Sequence, residues 1–306
     1  MSKPTSLKKI AIFGVGLIGG SFALALKQQG VVAEVVGVGR RRETLERALS
    51  LAIIDSIAES IQQAVAGADL VLIAAPGAQT GSLLAAIAPH LSPDTVVTDA
   101  GGTKSEVVPA ARNALGAKIG QFVPAHPIAG REQNGPEAAL GDLYVGKKVI
   151  LTPLIENAPE AIARVANAWT QCGALIHRLD AAEHDAVFAA VSHLPHLLAY
   201  ALVDDIAARP NAETLFQYAA SGFRDFTRIA GSSPEMWRDI ALANRSALLS
   251  ELDSYIKQVA QLRECLSQKD SAGLETIFTR ARDARQGWIS AIEAAEKPRP
   301  HEQGGD

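Results

Sequence analysis

Val123-Pro124-Ala125-His126-Pro127-Ile128-Ala129-Gly130 holds a histidine stiffly between two prolines, straight after an apolar run. Histidine is the side chain best suited to take a proton near neutral pH. A lone histidine is usually structural. One fixed so stiffly straight after an apolar, strand-like run is a candidate base. Two more, His193 and His196, stand three apart in Ser192-His193-Leu194-Pro195-His196, on one face of a helix. As a metal pair they lack a cysteine or carboxylate cluster to complete the site, so no metal is expected. Ser221-Gly222-Phe223-Arg224-Asp225-Phe226-Thr227-Arg228-Ile229-Ala230 reads as a glycine-broken link between helices, and Met236-Trp237-Arg238-Asp239 follows. A glycine, aromatics and arginines there suit an anionic, ring-shaped ligand. The alternative is that the arginines pair with Asp225 and Asp239 at the surface.

A second constellation binds rather than reacts. Ile10-Ala-Ile-Phe-Gly14-Val-Gly16-Leu17-Ile18-Gly19 is an apolar run, a Gly-x-Gly-x-x-Gly turn and the start of a helical pattern. Gly14 allows the tight turn, Gly16 admits a pyrophosphate, and Gly19 lets the helix pack close. Leu17 and Ile18 open the helix whose free N–H groups face the phosphates. The second strand ends in Val38-Gly39-Arg40-Arg41-Arg42-Glu43. No acid stands at the strand end to take the 2′-hydroxyl of NAD, whereas Arg40 and Arg41 can grip the 2′-phosphate of NADP. NADP is therefore favoured. NAD use stays open, because Glu43 could fold back to the ribose and the arginines could be solvated. Ala75 and Pro76 follow a buried run, where ribose and phosphates would pass close to the backbone. Thr98-Asp99-Ala100-Gly101-Gly102-Thr103-Lys104 puts small residues where a nicotinamide would lie. Asp99 or Thr103 could instead simply cap the next helix.

The elements that must position these groups change character along the chain. Up to residue 180, short apolar runs (9–13, 35–38, 70–74, 95–98, 118–123, 148–151, 174–179) alternate with amphipathic segments. That pattern predicts an α/β fold, a Rossmann-type parallel sheet covered on both faces, with ligands beyond the strands' carboxyl ends. After 180 the pattern is helical: one long helix over 181–208 interrupted at Pro195, another over 212–220, a run from Ser232 to about Ser267 opened by a capping-box spacing, and a last helix to about 295. We expect a dinucleotide-binding domain over 1–180, a helical substrate and dimerisation domain over 181–296, and a flexible tail over 297–306. The helical part has more apolar surface than a small bundle covers, which points to a homodimer.

Of the 306 residues, 48% are hydrophobic and 20% charged, enough for a sizeable core, and the net charge of −4 leaves no basic footprint for nucleic acid. Cys172 and Cys265 stand far apart without a partner motif, as in a reducing compartment. No signal-peptide core precedes the first strand, and no apolar stretch reads as long and uninterrupted enough to span a bilayer, so a soluble, cytoplasmic protein is expected.

Together these segments resemble the prephenate and arogenate (cyclohexadienyl) dehydrogenase family over roughly residues 7 to 295. The carriers are the Gly14–Ser21 turn, Asp99-Ala-Gly with Lys104, His126-Pro-Ile-Ala-Gly, Ser192-His-Leu-Pro-His196, Asp225-Phe-Thr-Arg-Ile-Ala and Met236-Trp-Arg-Asp. The resemblance implies oxidative decarboxylation in tyrosine biosynthesis, giving 4-hydroxyphenylpyruvate from prephenate or tyrosine from arogenate. It implies that His126 takes the ring-hydroxyl proton, that Arg228 holds a substrate carboxylate, and that His196 or His193 faces the substrate, with His196 the stronger candidate. Trp237 and Gly222 would shape the pocket. Asp185 or Glu132 would meet the ammonium of arogenate, or else be solvated. One position departs: the family commonly has serine in Asp-x-Gly-Ser, and this chain has Gly102. Two other readings compete. A β-hydroxy-acid or imine dehydrogenase would use a lysine on the long helix, and 181–208 has none. A nucleotide-sensing protein would keep the fold without turnover.

Overall fold

The structure is a computed structural model describing residues 7–131 and 133–296, without the side chains of the last four. Glu132 and the tail 297–306 lie outside the described residues.

The main sheet contains β1 (Leu7–Phe13), β2 (Val32–Val38), β3 (Ser56–Ile57), β4 (Leu70–Ile73), β5 (Val96–Asp99) and β6 (Phe122–Val123). Their order is β3-β2-β1-β4-β5-β6, with every pairing parallel. This is the doubly wound nucleotide-binding order, and it reverses between β1 and β4, where a crevice for ligand opens. Between the strands run α1 (Leu17–Gln28), α2 (Arg42–Ser50), α3 (Ile61–Val65), α4 (Thr80–Ile87) and α5 (Val107–Leu115). Successive strand residues face opposite sides, so β1 feeds two cores. Ile10 and Ile12 pack with Phe22 and Leu26 of α1. Ala11 and Phe13 pack with Leu84 and Ile87 of α4 and Val108 of α5.

At Pro124 the chain leaves this sheet for a smaller one, β7 (Ala125–Pro127), β8 (Lys148–Leu151) and β9 (Leu175–Arg178), in which β7 runs antiparallel to β8. It is backed by α6 (Pro159–Gln171), whose buried Trp169 packs against Phe22 and Tyr144. His126 therefore sits on the second sheet, beside the first. The run 118–123, expected to be a strand, is mostly a 3₁₀ segment over Gly116–Gln121. Lys118 is drawn there to the carbonyls of Ala88 and Leu91 rather than into a ladder.

Beyond the sheets come α7 (Ala181–Phe188), α8 (Leu194–Ala207), α9 (Ala212–Gln217), α10 (Ser221–Thr227), α11 (Pro234–Ala243), α12 (Arg245–Ser267) and α13 (Ser271–Glu296). The interruption expected at Pro195 is a π-helical turn over Ala189–His193, joining α7 to α8. Proline removes one helical hydrogen bond, and the wider turn absorbs the loss without breaking the rod. The Ser221–Ala230 segment is not a link: it is α10 followed by a 3₁₀ turn. The run from Ser232 to Ser267 divides at Asn244, and its cap is Ser233, whose hydroxyl accepts from the Met236 N–H.

By length and composition alone, 181–207 is also long and apolar enough to cross a membrane, against the sequence reading. The described residues up to Leu249 form one compact unit, and those from Ser250 a second, holding most of α12 together with α13.

Candidate active site

The crevice is lined first by glycines. Gly14 has φ +99°, and a Cβ there would come within 2.6 Å of the Ala74 carbonyl oxygen; one on Gly19 would collide with the Gly14 carbonyl. Gly16, by contrast, faces open space. It is the N-cap of α1, which has no side-chain cap and no acid in its first turn. The free N–H groups of Leu17 and Ile18 are thus open to an anion, and the residues present fit a dinucleotide pyrophosphate. Ala75 and Pro76 stand on the opposite lip, at the end of β4. Arg40 and Arg41 are exposed between β2 and α2. Arg42 is not part of that pair, because it is held by Glu46 and Glu59 at 3.0 Å each.

The loop after β5 is pinned by a buried ion pair. Lys104 Nζ donates to Asp99 Oδ2 at 2.9 Å and to the carbonyls of Gly101 and Thr103. Asp99 also accepts from the N–H of Gly101 and of Ala125, both at 3.0 Å. Both Asp99 and Lys104 are almost wholly enclosed, at 1% and 0% exposure. Asp99 is therefore a clamp between β5 and the residue before His126, not an open ligand for cofactor. Neither Asp99 nor Thr103 caps α5, which begins beyond Glu106 with no side-chain cap.

His126 Nδ1 lies 2.9 Å from His184 Nε2, and His184 Nδ1 lies 2.7 Å from Asp185 Oδ1. Asp185 in turn accepts from the N–H groups of Lys104 at 2.8 Å and Ser105 at 2.7 Å. Asp185 is thus fully engaged within the protein and does not face a substrate ammonium. His126 makes its hydrogen bond through Nδ1, with none at Nε2 among the described residues, and a Cβ added at Gly102 would lie 3.9 Å from that Nε2. Burial holds His126 well below the ordinary histidine range, and the Lys104 ammonium pushes the same way. Burial likewise lowers His184, against the opposing bond from Asp185. These neutral rings can accept protons.

The other predicted groups gather near this chain of contacts. His193 Nδ1 is 3.0 Å from the Asn244 amide nitrogen, which also donates to the Asp185 carbonyl at 2.8 Å. Burial lowers His193 to about 4. His196 donates from Nδ1 to the Ser192 carbonyl at 2.8 Å, so its Nε2 is the open nitrogen. Trp237 stacks on it, ring centroids 3.5 Å apart and 19° from parallel. Burial lowers His196 as well, and the Arg228 guanidinium adds to the shift. Arg224 and Arg238 follow the bland reading and lie beside Asp225 and Asp239. Gly222 is exposed in the first turn of α10, with nothing within 4 Å of an added Cβ. His184 and Asn244 are missing from the sequence reading. His184 lies 58 residues from its ring partner, in a first helical turn that reads as solvated. Asn244 was hidden inside an uninterrupted helical pattern. Among the described residues, no three His, Cys, Asp or Glu side chains are grouped to hold a metal ion.

Comparison with known proteins agrees over most of the chain. Residues 22–178 match the nucleotide-binding domain of prephenate dehydrogenase, and 180–280 match its dimerization domain. The cyclohexadienyl dehydrogenase of Zymomonas mobilis is 38% identical over 92% of this chain and 96% of its own. The prephenate dehydrogenase of Bacillus subtilis is 37% identical over 91% of this chain and 75% of its own. The crystal structure of A. aeolicus prephenate dehydrogenase, in complex with hydroxyphenyl propionate and NAD+, superposes with a TM-score of 0.87 at 35% identity, covering 93% of this chain and 99% of that one.

Proposed function

The chain belongs to the prephenate dehydrogenase family, and from that premise we propose how its own residues divide the work. It is an oxidoreductase of tyrosine biosynthesis, catalysing the oxidative decarboxylation of prephenate or arogenate with a nicotinamide dinucleotide. The bound nicotinamide supplies the acceptor for a hydride from the ring carbon that bears the hydroxyl. His126 Nε2 takes the proton from that hydroxyl. The ring carboxylate departs as CO2 and the ring becomes aromatic, which provides most of the driving force. The protein mainly orients groups and handles one proton.

Arg228 pairs with the ring carboxylate. His196 presents Nε2 to the substrate across the face walled by Trp237, and His193, with Nδ1 held by Asn244, offers its Nε2–H. The glycine turn, Leu17, Ile18, Ala75, Pro76 and Gly101 line the cofactor's path, with Asp99 holding the Gly101 loop in place. Arg40 and Arg41 favour NADP by pairing with its 2′-phosphate; NAD is the second cofactor, as the A. aeolicus relative binds NAD+. In this reading residues 1–180 serve the cofactor, and 181–296 serve the substrate and a homodimer.

The observation that carries the reading is His126 itself, its ring held through Nδ1 just beyond the carboxyl end of β6, with no hydrogen bond at Nε2 among the described residues. The test is initial-rate reduction of NADP and NAD with prephenate and with arogenate, alongside His126→Gln. Native enzyme should reduce NADP faster than NAD, and His126→Gln should lower kcat about 10²–10⁴-fold. A variant with native kcat would remove His126 from the chemistry. Equal kcat/KM for the two cofactors would remove the arginine reading.

A further inference from the structure

We propose that His184 and Asp185 are positioning residues that hold His126 in a single tautomer, with its proton on Nδ1 and its lone pair on Nε2. The proposal rests on the reading of His126 as the base.

An ionised carboxylate only accepts. Asp185 is anchored by the N–H groups of Lys104 and Ser105, so its 2.7 Å contact with His184 Nδ1 must be an N–H donated by the ring. Burial alone would raise Asp185, yet the bonds from His184, Ser105 and Lys104 prevail and hold it below the ordinary carboxylate value. A neutral His184 with its proton on Nδ1 has only a lone pair on Nε2. The 2.9 Å contact with His126 Nδ1 then requires His126 to be the donor. The nitrogen left bare is then Nε2, on the side of the ring that lies nearest Gly102.

An unconstrained neutral imidazole can carry its proton on either nitrogen, and only one of the two forms presents a base to the substrate. In the reaction the substrate O–H bond breaks and an N–H bond forms at His126 Nε2. The resulting imidazolium still donates from Nδ1 to His184, and His184 still donates to ionised Asp185. No proton passes along the chain. The proton on Nε2 leaves to water after product release. His184 and Asp185 are almost fully enclosed, at 0% and 2% exposure, so water offers His184 no competing partner. The anchors of Asp185 belong to the loop pinned by Asp99 and Lys104. The tautomer is thereby tied to the placement of that loop.

The test needs no variant at its first step. Long-range ¹H–¹⁵N correlation on protein labelled at histidine, at pH 8 and without substrate, reads which ring nitrogen of each histidine is protonated; loss of one set in His126→Gln assigns it. The expected pattern is protonated Nδ1 and bare Nε2 for both His126 and His184. A proton on His126 Nε2, or averaging between tautomers, overturns the proposal. At the second step, Asp185→Asn with its amide N–H turned to His184 Nδ1, at the expense of the bond from the Lys104 N–H, reverses both rings. It should move the His126 proton to Nε2 and lower kcat about 10²–10⁴-fold, with KM for substrate and cofactor changed less than about threefold. His184→Gln, whose carboxamide oxygen can accept from His126 Nδ1, should stay within about tenfold of native kcat. Native kcat in Asp185→Asn, or equal losses in both variants with the His126 tautomer intact, overturns the proposal. Turnover by His126→Gln would instead sink the base reading and leave the measured tautomer standing.

Discussion

At the scale of single residues, the base and its surroundings differ in how legible they are. His126 stands out in the sequence because two prolines stiffen it. Its partner His184 does not, because only folding brings α7 against β7. Asp185 is visible but misread: as an isolated acid it invites a substrate ammonium, and its backbone partners at Lys104 and Ser105 are 81 and 80 residues away. Gly102 is the most informative departure. A Cβ there would meet Ile240 at 3.5 Å, an ordinary contact, and lie 3.9 Å from His126 Nε2. A serine therefore fits, and its hydroxyl can bond the ring or the substrate. Gly102→Ser should raise kcat about 2–10-fold, the worth of one hydrogen bond of about 0.5–1.5 kcal/mol. Unchanged kcat would show that the glycine costs the enzyme nothing.

At the scale of elements, the parallel strands are the legible part, since buried apolar runs leave few alternatives. The breaks in the helices are not. Asn244, at the break between α11 and α12, bonds groups on other elements, namely the Asp185 carbonyl and the His193 ring carried by the π-helical turn over Ala189–His193. A periodicity within one segment carries no trace of such partners. The same holds for Lys104, whose charge reads as the start of a solvated helix and is in fact wholly buried against Asp99. Removing one member of a buried pair strands the other. Lys104→Met should lower unfolding stability by about 3–5 kcal/mol, read from urea titration. A loss below about 1 kcal/mol would mean that the pair does not hold the loop.

At the scale of the whole molecule, four half-buried or buried histidines make stability depend on acidity. His126, His184, His193 and His196 are all held below the ordinary histidine value of 6.5, His193 at about 4. In the unfolded chain they take protons near that ordinary value, while in the folded chain they do so only at lower pH. Between about pH 6.5 and 4 the unfolded state therefore binds more protons, and stability falls as pH falls. The urea midpoint should be steady above pH 7 and lower at pH 5; a midpoint equal at pH 7.5 and 5 would contradict this.

The helical unit from Ser250 leaves Ile256, Leu266, Phe278 and Trp288 more than half exposed. With the dimerization-domain match over 180–280, this favours burial against a second copy. Phe278→Lys with Trp288→Lys should give a monomer by sedimentation, and a persisting dimer would place the interface elsewhere. The change of character at residue 180 was legible because strand-like runs stop there. The compact unit that reaches Leu249 was not, because its contacts join elements distant in sequence.

The bond from Lys104 Nζ back to Asp99 has a consequence for how this site can vary. It closes residues 99–104 into a ring, with the Asp99 carboxylate also fastened to Ala125 and the Lys104 N–H to Asp185. Such a ring is a gauge of length rather than of identity. Side chains at 100–103 can be exchanged wherever space allows, but one residue more or fewer would pull Lys104 off Asp99 or Asp185 off its anchors. Variation beside the base is therefore open to substitution and closed to insertion and deletion.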